Sequence, residues 1–446
     1  MYARFWGAIL HMRKITVSKA ILTILALVLL LTGCSSSKLI GSGNKGGAEV
    51  EKTVTQLGEQ DSQNEKTGES TSDNNADADP ENTDVKDNNG ENSDQTETDS
   101  NEADKPTEPS KSAVKAKALY LTGWTVGSND RVNHYVQLAN ETEINAYVVD
   151  IKDDDGFVGY ESQLAEVKNN GAYKKKYNAD NVLKAFHDND IYVIGRLVAF
   201  KDPVYSTKRP DLAIKKTSGG VWKDNKGLSW LDPYNKENWD YLISIAQEAI
   251  DKGFDEIQFD YVRFPSDGKK AMSFAGADKE KYEAISEFLA YAKTKITKVP
   301  VSADVFGIIL ESPADTEKIG QYLEYVGKDV DYICPMVYPS HYAVGQIVNN
   351  VKFVKPDLDP YGVVYNTLFK CKNRISQING YTYNAKVRPY LQDFTASWLG
   401  KGYYQDYGTE QVKQQIKAVY DAGYEEWILW DASNTYHEDA FEKETK

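Results

Sequence analysis

The chain contains 446 residues, of which 67 are acidic and 52 are basic, so its formal net charge is −15 at pH 7. This length accommodates two or three domains, or one large barrel with extensions. The negative charge argues against sequence-independent binding to nucleic acid or to an anionic membrane surface, because both would repel the protein. We therefore expect no nucleic-acid partner.

The N-terminal residues predict an exported protein. An apolar run, Ala20–Leu31, follows three basic residues between positions 13 and 19. The run is too short to span a bilayer, and this layout is typical of a secretory signal. It ends in LTGC at positions 31–34, which resembles the lipobox of bacterial lipoproteins. The resemblance implies a signal peptide over residues 1–33 and a lipid on Cys34, which would hold the protein on the outer face of the cytoplasmic membrane, as in Gram-positive bacteria. An uncleaved membrane anchor is the alternative.

The composition of residues 34–112 predicts a disordered acidic linker. From Ser35 to Ser112 there are 19 acidic and 7 basic side chains and no Phe, Tyr or Trp. A segment with so little apolar surface and so much like charge cannot offset the entropy lost on folding. The acidity of this segment therefore carries no information about a substrate site.

The sequence pattern of residues 113–446 predicts a single domain rich in parallel strands. Aromatic and β-branched runs recur there, and most are almost continuously apolar, as expected of parallel strands covered on both sides. The eight runs are Ala118–Trp124, Ala146–Ile151, Tyr192–Val198, Glu256–Tyr261, Val301–Phe306, Tyr332–Tyr338, Val387–Asp393 and Trp427–Asp431.

Helical patterns with a period of 3.6 residues lie between these strands. They are Asn181–Asn189, Asn238–Lys252, Glu280–Ile296, Thr316–Gly327, Tyr361–Gln377 and Glu410–Ala422. Eight strands alternating with helices favour a (β/α)8 TIM barrel over an open doubly wound sheet. The predicted fold class is thus α/β, a (β/α)8 barrel preceded by a signal peptide and a disordered acidic linker.

Polar side chains interrupt the apolar runs where the strands end. In a (β/α)8 barrel these C-terminal ends carry the functional groups. Because side chains alternate along a strand, Asp150, Arg196, Asp260 and Asp304 are all predicted to face the barrel interior. The other polar or aromatic residues at these ends are Lys152, Arg263, Tyr338, His341, Gln392, Asp393, Trp430 and Asp431.

The motifs argue against metal and acyl-transfer chemistry. The four histidines after position 113 are widely spaced and form no HxH or HExxH pattern, and no GxSxG motif is present. We predict no cofactor and no metal. Asp153–Asp155 predicts a solvated turn, with a calcium site as the alternative. The sequence does not decide whether Cys334 and Cys371 form a disulfide.

Carboxylate chemistry remains, and it suits cleavage of a glycosidic bond, which needs one carboxyl as acid and a second as nucleophile or base. Neighbouring strands lie about 4.8 Å apart, so Asp260 and Asp304 could meet the short carboxyl spacing of retaining enzymes, and Asp150 or Asp431 could meet the longer spacing of inverting enzymes. We predict Asp260 as nucleophile and Asp304 as acid/base, with Asp150 as the substitute for either. The predicted substrate-binding residues are Arg196, Arg263, Tyr261, Tyr338, Trp124, Trp430, Asp431, Gln392 and Lys152.

Several motifs together resemble a known family. They include KALYLTGW at 117–124, NAYVVDIKDDDG at 145–156, FDYVRFP at 259–265 and ILWDASN at 428–434. Residues 117–436 resemble bacterial glycoside hydrolase-like barrels that are classed as a domain of unknown function and occur in exported and lipid-anchored proteins. The resemblance implies a glycosidase-type barrel. Related glycosidases often have Asp after the fourth strand, as Asp260 is here, but many use Glu after the fifth, where this chain has Asp304 and, seven residues on, Glu311.

Two functions follow as hypotheses. The first is a surface lipoprotein, expected to be monomeric, that hydrolyses or transglycosylates a cell-wall or extracellular polysaccharide. The second is a barrel that binds glycan without cleaving it. The two differ in the site that they require, because an enzyme needs two facing carboxyl groups in an open mouth.

Overall fold

The computed structural model describes residues 114–444. The predicted signal peptide (1–33), the predicted lipidation site Cys34 and the whole predicted linker (34–112) lie outside this range. Within it, no helix combines the length and the apolar character needed to cross a membrane.

Eight parallel strands form a closed barrel. In chain order they are β1 (Lys117–Leu121), β2 (Ala146–Lys152), β3 (Tyr192–Val198), β4 (Glu256–Asp260), β5 (Val301–Phe306), β6 (Tyr332–Met336), β7 (Lys386–Val387 and Tyr390–Gln392) and β8 (Trp427–Trp430). Each strand pairs with the next, and β8 pairs with β1. The closure confirms the predicted (β/α)8 barrel.

The seventh strand is interrupted, which the sequence pattern did not indicate. Its two segments both pair with β6, and Arg388 and Pro389 lie between them. Proline has no backbone N–H to donate to a sheet, so a gap at this position is expected.

The main helices alternate with the strands. They are α1 (Asn129–Glu141), α2 (Ala179–His187), α3 (Lys236–Lys252), α4 (Lys281–Lys295), α5 (Leu323–Val326), α6 (Pro360–Ser376) and α7 (Thr409–Asp421). The sequence analysis missed α1 and predicted a longer α5 over Thr316–Gly327. Lys318 and Gly320 have φ of +55° and +86°, which ends any helix before α5.

Local sequence explains where α3 begins and ends. The side chain of Asn235 accepts a hydrogen bond from the Glu237 backbone N–H and caps the first turn. Gly253 ends the helix with φ of +112°, a conformation that favours glycine. Between them, Trp239, Leu242 and other apolar residues at helical spacing are buried against the sheet.

The barrel separates two apolar cores, and strand alternation decides which residue enters which. The interior core contains Ala118, Tyr120, Val148, Ile194, Tyr390 and Trp430 among others. Outward-facing residues pack beneath the helices. At Gly195 on β3, an added Cβ would come within 2.3 Å of the Ile151 side chain and 2.9 Å of Phe254, so only glycine fits.

A buried ionic cluster closes the N-terminal end of the barrel. Arg388 contacts Glu256 at 2.9 Å and Glu426 at 3.0 Å, and all three side chains are at most 10% exposed. Ser302 also donates to Glu256 at 2.6 Å. These charges satisfy one another at the end of the barrel opposite to the predicted site.

Candidate active site

The structure brings four predicted residues together inside the C-terminal end of the barrel, with Arg196 at the centre. The Nη1 atom of Arg196 lies 2.8 Å from Asp150 Oδ1. Its Nε and Nη2 atoms donate to Asp260 Oδ2 at 2.9 and 2.6 Å. The register of β4 and β5 pairs Phe259 with Ala303, so its continuation by one residue places Asp260 beside Asp304.

Asp260 is fixed by its own chain as well as by Arg196. Its Oδ1 atom accepts the backbone N–H of Tyr261 at 2.5 Å. Tyr261 has φ of +47°, a strained conformation for a residue with a side chain. The strained peptide and the Arg196 fork together supply three donors to one carboxylate, which sets its orientation.

Asp304 lies in a contrasting environment. Its side chain is 1% exposed, and neither carboxyl oxygen has a hydrogen-bond partner among residues 114–444. Burial, and then the neighbouring charge of Asp260, raise the pKa of Asp304 well above its usual value. Both effects favour the protonated form of Asp304, which is the form that a general acid needs.

Asp150 lies on the other side of Arg196. The Tyr120 hydroxyl donates to Asp150 Oδ2 at 2.8 Å. Burial raises the pKa of Asp150 to about 6, and the Arg196 charge opposes that rise. This third carboxyl can thus change protonation near neutral pH.

The sequence analysis missed Asp154 and Lys201, and its prediction of a solvated turn at Asp153–Asp155 is wrong for two of the three residues. Asp154 contacts Arg196 at 3.0 Å and Lys201 at 3.3 Å. Burial would raise the pKa of Asp154, but the charges of Lys201 and Arg196 outweigh burial and lower it. Asp153 is also buried and pairs with Lys176, which leaves only Asp155 in an exposed position.

Aromatic rings line the same end of the barrel. Trp430 stacks on Tyr120, with ring centroids 3.9 Å apart, and the Arg196 guanidinium faces both rings. The indole Nε1 of Trp430 has no hydrogen-bond partner within the described residues. Trp124 is 61% exposed beyond β1, whereas Tyr338 is 1% exposed. Trp124 is accordingly the most accessible of the predicted sugar contacts.

Arg263 lies next to the site, in the loop after β4. Its guanidinium is within 5.1 Å of the ring centroids of Trp230, Tyr261 and Phe306, and it donates to the Phe264 backbone oxygen at 3.1 Å. Arg263 therefore packs the loop after β4, and it holds the Tyr261 ring in place.

Three of the predicted substrate-binding residues form hydrogen bonds or ion pairs with other groups of the protein. Lys152 is fully buried, pairs with Asp202 at 3.0 Å and donates to the Val198 backbone oxygen. Gln392 is also fully buried and accepts from Ser340. A register shift between Asp150 and Lys152 redirects the lysine side chain, which strand alternation could not predict.

Asp431 is the third of these residues. It accepts hydrogen bonds from the Ser433 and Thr435 backbone N–H groups and so caps the turn after β8. Glu311, the substitute acid suggested by related glycosidases, accepts the Asn349 backbone N–H on the flank of the barrel.

One other reactive side chain adjoins the site, because Cys334 on β6 pairs with Asp304 on β5 in the strand register. Cys334 and Cys371 are both buried as free thiols. Within residues 114–444, no group of three or more His, Cys, Asp or Glu side chains has an arrangement that could hold a metal ion.

Comparisons with known proteins identify the family. Residues 118–436 match the model of a family described as "Putative glycosyl hydrolase domain". The chain is similar to a hypothetical protein from Ruminiclostridium thermocellum, with 66% identity, 42% of this chain and 97% of that chain covered, and a TM-score of 0.41. It is also similar to the PgaB (BpsB) glycoside hydrolase domain from Bordetella bronchiseptica, with 11% identity, 72% and 94% covered, and a TM-score of 0.52, which shows a shared fold. No curated protein matches the chain.

The family match covers the barrel from β1 to the segment after β8. It confirms the resemblance to glycoside hydrolase barrels, and the description of the family agrees with the predicted enzyme class. The chain therefore belongs to the glycosyl hydrolase family whose model spans its barrel.

Proposed function

We propose that the barrel cleaves or transglycosylates a polysaccharide of the cell wall or the cell surface with Asp260 as nucleophile and Asp304 as acid/base. One observation carries the proposal. Two carboxyl groups on neighbouring strands have opposite environments, since Asp260 accepts three hydrogen bonds and Asp304 accepts none among the described residues. In glycosidases, different environments give the two carboxyl groups different pKa values, so that one acts as acid and the other as nucleophile.

The proposed reaction has two steps. Asp304 gives its proton to the glycosidic oxygen while the Asp260 carboxylate attacks the anomeric carbon, so that a sugar–Asp260 ester forms and the bond to the leaving sugar breaks. Asp304, now ionised, then takes a proton from water, and the resulting hydroxide attacks the anomeric carbon and releases Asp260. If a sugar hydroxyl replaces water in the second step, the product is a transglycosylated chain.

The positive charge of Arg196 has a defined part in this scheme. It faces Asp260 throughout, so it stabilises the carboxylate when the ester breaks. The spacing of neighbouring strands, about 4.8 Å, supports a retaining outcome. Asp150, on the other side of Arg196, is the alternative nucleophile.

A second candidate function is glycan binding without cleavage. It is favoured by the low exposure of the three carboxyls, which is 4% for Asp150 and Asp260 and 1% for Asp304. In that case Arg196 and its partners would be a structural plug beneath an aromatic binding surface. The two functions share the carbohydrate ligand, and the formation of product distinguishes them.

The cellular setting is also a proposal, and it is supported by the sequence alone. The LTGC tetrad at 31–34 supports a lipid on Cys34, which would hold the enzyme on the outer face of the cytoplasmic membrane. A polysaccharide outside the membrane is then the accessible substrate.

The test is a screen of the purified chain against peptidoglycan, teichoic-acid glycans and capsular polysaccharides, with detection of released sugars. The wild type should release product from at least one polymer, and Asp260→Ala and Asp304→Asn should each lower the rate about 10²–10⁴-fold or more. Tyr420→Ala, a substitution on α7, serves as the control and should retain activity. Binding of a polymer without product would support the second function.

A further inference from the structure

A groove of about 700 Å³ opens on the flank of the barrel. Its walls come from the segment after β5 (Glu311 and Pro313), α5, the C-terminal half of α6 and the connection from α6 into β7. None of these lining residues is a candidate catalytic residue, and the candidate carboxylates face the barrel interior. The groove is therefore separate from the proposed catalytic site, and its volume falls in the range of small-ligand sites, roughly 300–1,000 Å³.

Two tyrosine rings are held at the groove in defined positions. Tyr325 and Tyr381 are each 37% exposed. The Tyr325 ring packs on Tyr282 and Tyr322, with centroid separations of 4.6 and 5.2 Å. The Tyr381 hydroxyl donates to the Glu324 backbone oxygen. Rings that are already fixed lose little entropy on binding, and each can stack on an apolar face of a ligand.

The charged groups at the groove largely neutralise one another. Arg374 binds both carboxylate oxygens of Glu324 at 2.7 Å and also donates to two backbone oxygens of the segment before Glu311. The remaining polar lining consists of Glu311, Lys328, Lys370, Gln377 and Asn379. One acid, two bases and two amides offer both donors and acceptors with little net charge.

This combination fits a carbohydrate. Sugar rings present apolar C–H faces to aromatic rings and hydroxyls to mixed donors and acceptors, whereas a polyanion would require an excess of positive charge. We propose that the groove binds a polysaccharide strand and holds the polymer while the barrel end cleaves it. The choice of polymer rests on the proposed function.

The test uses the purified full chain in an Asp304→Asn background, so that bound polymer is not consumed. Retention is measured on insoluble peptidoglycan and on beads that carry capsular polysaccharide. The double variant Tyr325→Ala/Tyr381→Ala should bind the polymer about tenfold more weakly, as expected for the loss of two aromatic contacts. Tyr420→Ala removes an equally exposed tyrosine (37%) outside the groove and should bind as the parent does.

A second measurement separates the groove from the catalytic site. With Asp304 restored, the double variant should hydrolyse a short soluble oligosaccharide at the wild-type rate and should lose activity only on the polymer. Circular dichroism should show an unchanged fold.

The outcomes distinguish the two proposals. If the wild type releases no product but the double variant still loses retention, the groove is supported and the proposed function fails. If the double variant binds polymer as its parent does, if Tyr420→Ala weakens binding equally, or if no polymer binds at all, the groove proposal is overturned.

Discussion

Replacing Asp304 with Asn is expected to stabilise the fold increasingly as the pH rises, while it removes activity. In the folded chain, burial and the charge of Asp260 raise the pKa of Asp304 well above its usual value. In the unfolded chain the same carboxyl has a pKa of about 3.9. Above that pH the unfolded state has lost a proton that the folded state keeps. Stability of the wild type therefore falls by about 1.4 kcal/mol per pH unit from this one group, until the folded-state pKa is reached.

Asparagine cannot titrate, so the variant lacks this slope. Urea unfolding of wild type and Asp304→Asn between about pH 5 and pH 7 should give a difference in unfolding free energy that grows by about 1.4 kcal/mol per pH unit in favour of the variant. An unsatisfied amide would shift the difference by a constant and leave its slope unchanged. Asp211→Asn, at an exposed carboxyl whose pKa Arg209 lowers, is the control and should not show this slope. A difference that is independent of pH would mean that Asp304 is ionised in the fold, and the acid role would be withdrawn.

Three further substitutions test the packing and the binding surface. Arg196→Met leaves its three aspartate partners buried without a counter-charge, so it should lower the unfolding free energy measured in urea by about 3–5 kcal/mol. The control Arg209→Met removes an ion pair at a 30% exposed side chain and should lower it by less than about 1 kcal/mol. Equal losses in the two variants would contradict the reasoning. Gly195→Ala should destabilise the barrel by about 1–3 kcal/mol because its Cβ overlaps Ile151, and an unchanged thermal midpoint would show that β3 can shift. Trp124→Ala should raise KM about tenfold on the cleaved polysaccharide with little change in kcat, and an unchanged KM would remove Trp124 from the binding surface.

The barrel was predictable because its strands are buried on both sides. Tyr192–Val198 and Val301–Phe306 have the predicted bounds, since continuous apolar runs are typical of parallel strands. The helix Asn129–Glu141 was missed because only four of its 13 residues are buried, which leaves a thin apolar stripe. The break in β7 depends on a single residue, Pro389, within an otherwise regular pattern.

The candidate site was predictable where strand geometry alone decides it. Alternation along parallel strands turned Asp260, Asp304 and Arg196 toward one interior, and the structure places them there. Strand alternation does not predict the positions of loop residues. The contacts of Asp154 and Lys201 near Arg196 depend on how two loops fold over the barrel. No periodicity in the sequence encodes that contact.

The central claim is that Asp260 forms a glycosyl ester beside a protonated Asp304. The most direct measurement is peptide mass spectrometry of enzyme acid-quenched during turnover of the polymer that it cleaves. The account predicts one added glycosyl group, with the sugar units still linked to it, on the peptide that contains Asp260, and its absence in Asp260→Ala. A glycosyl unit on the peptide with Asp150, or an inverted product with no adduct, would contradict it.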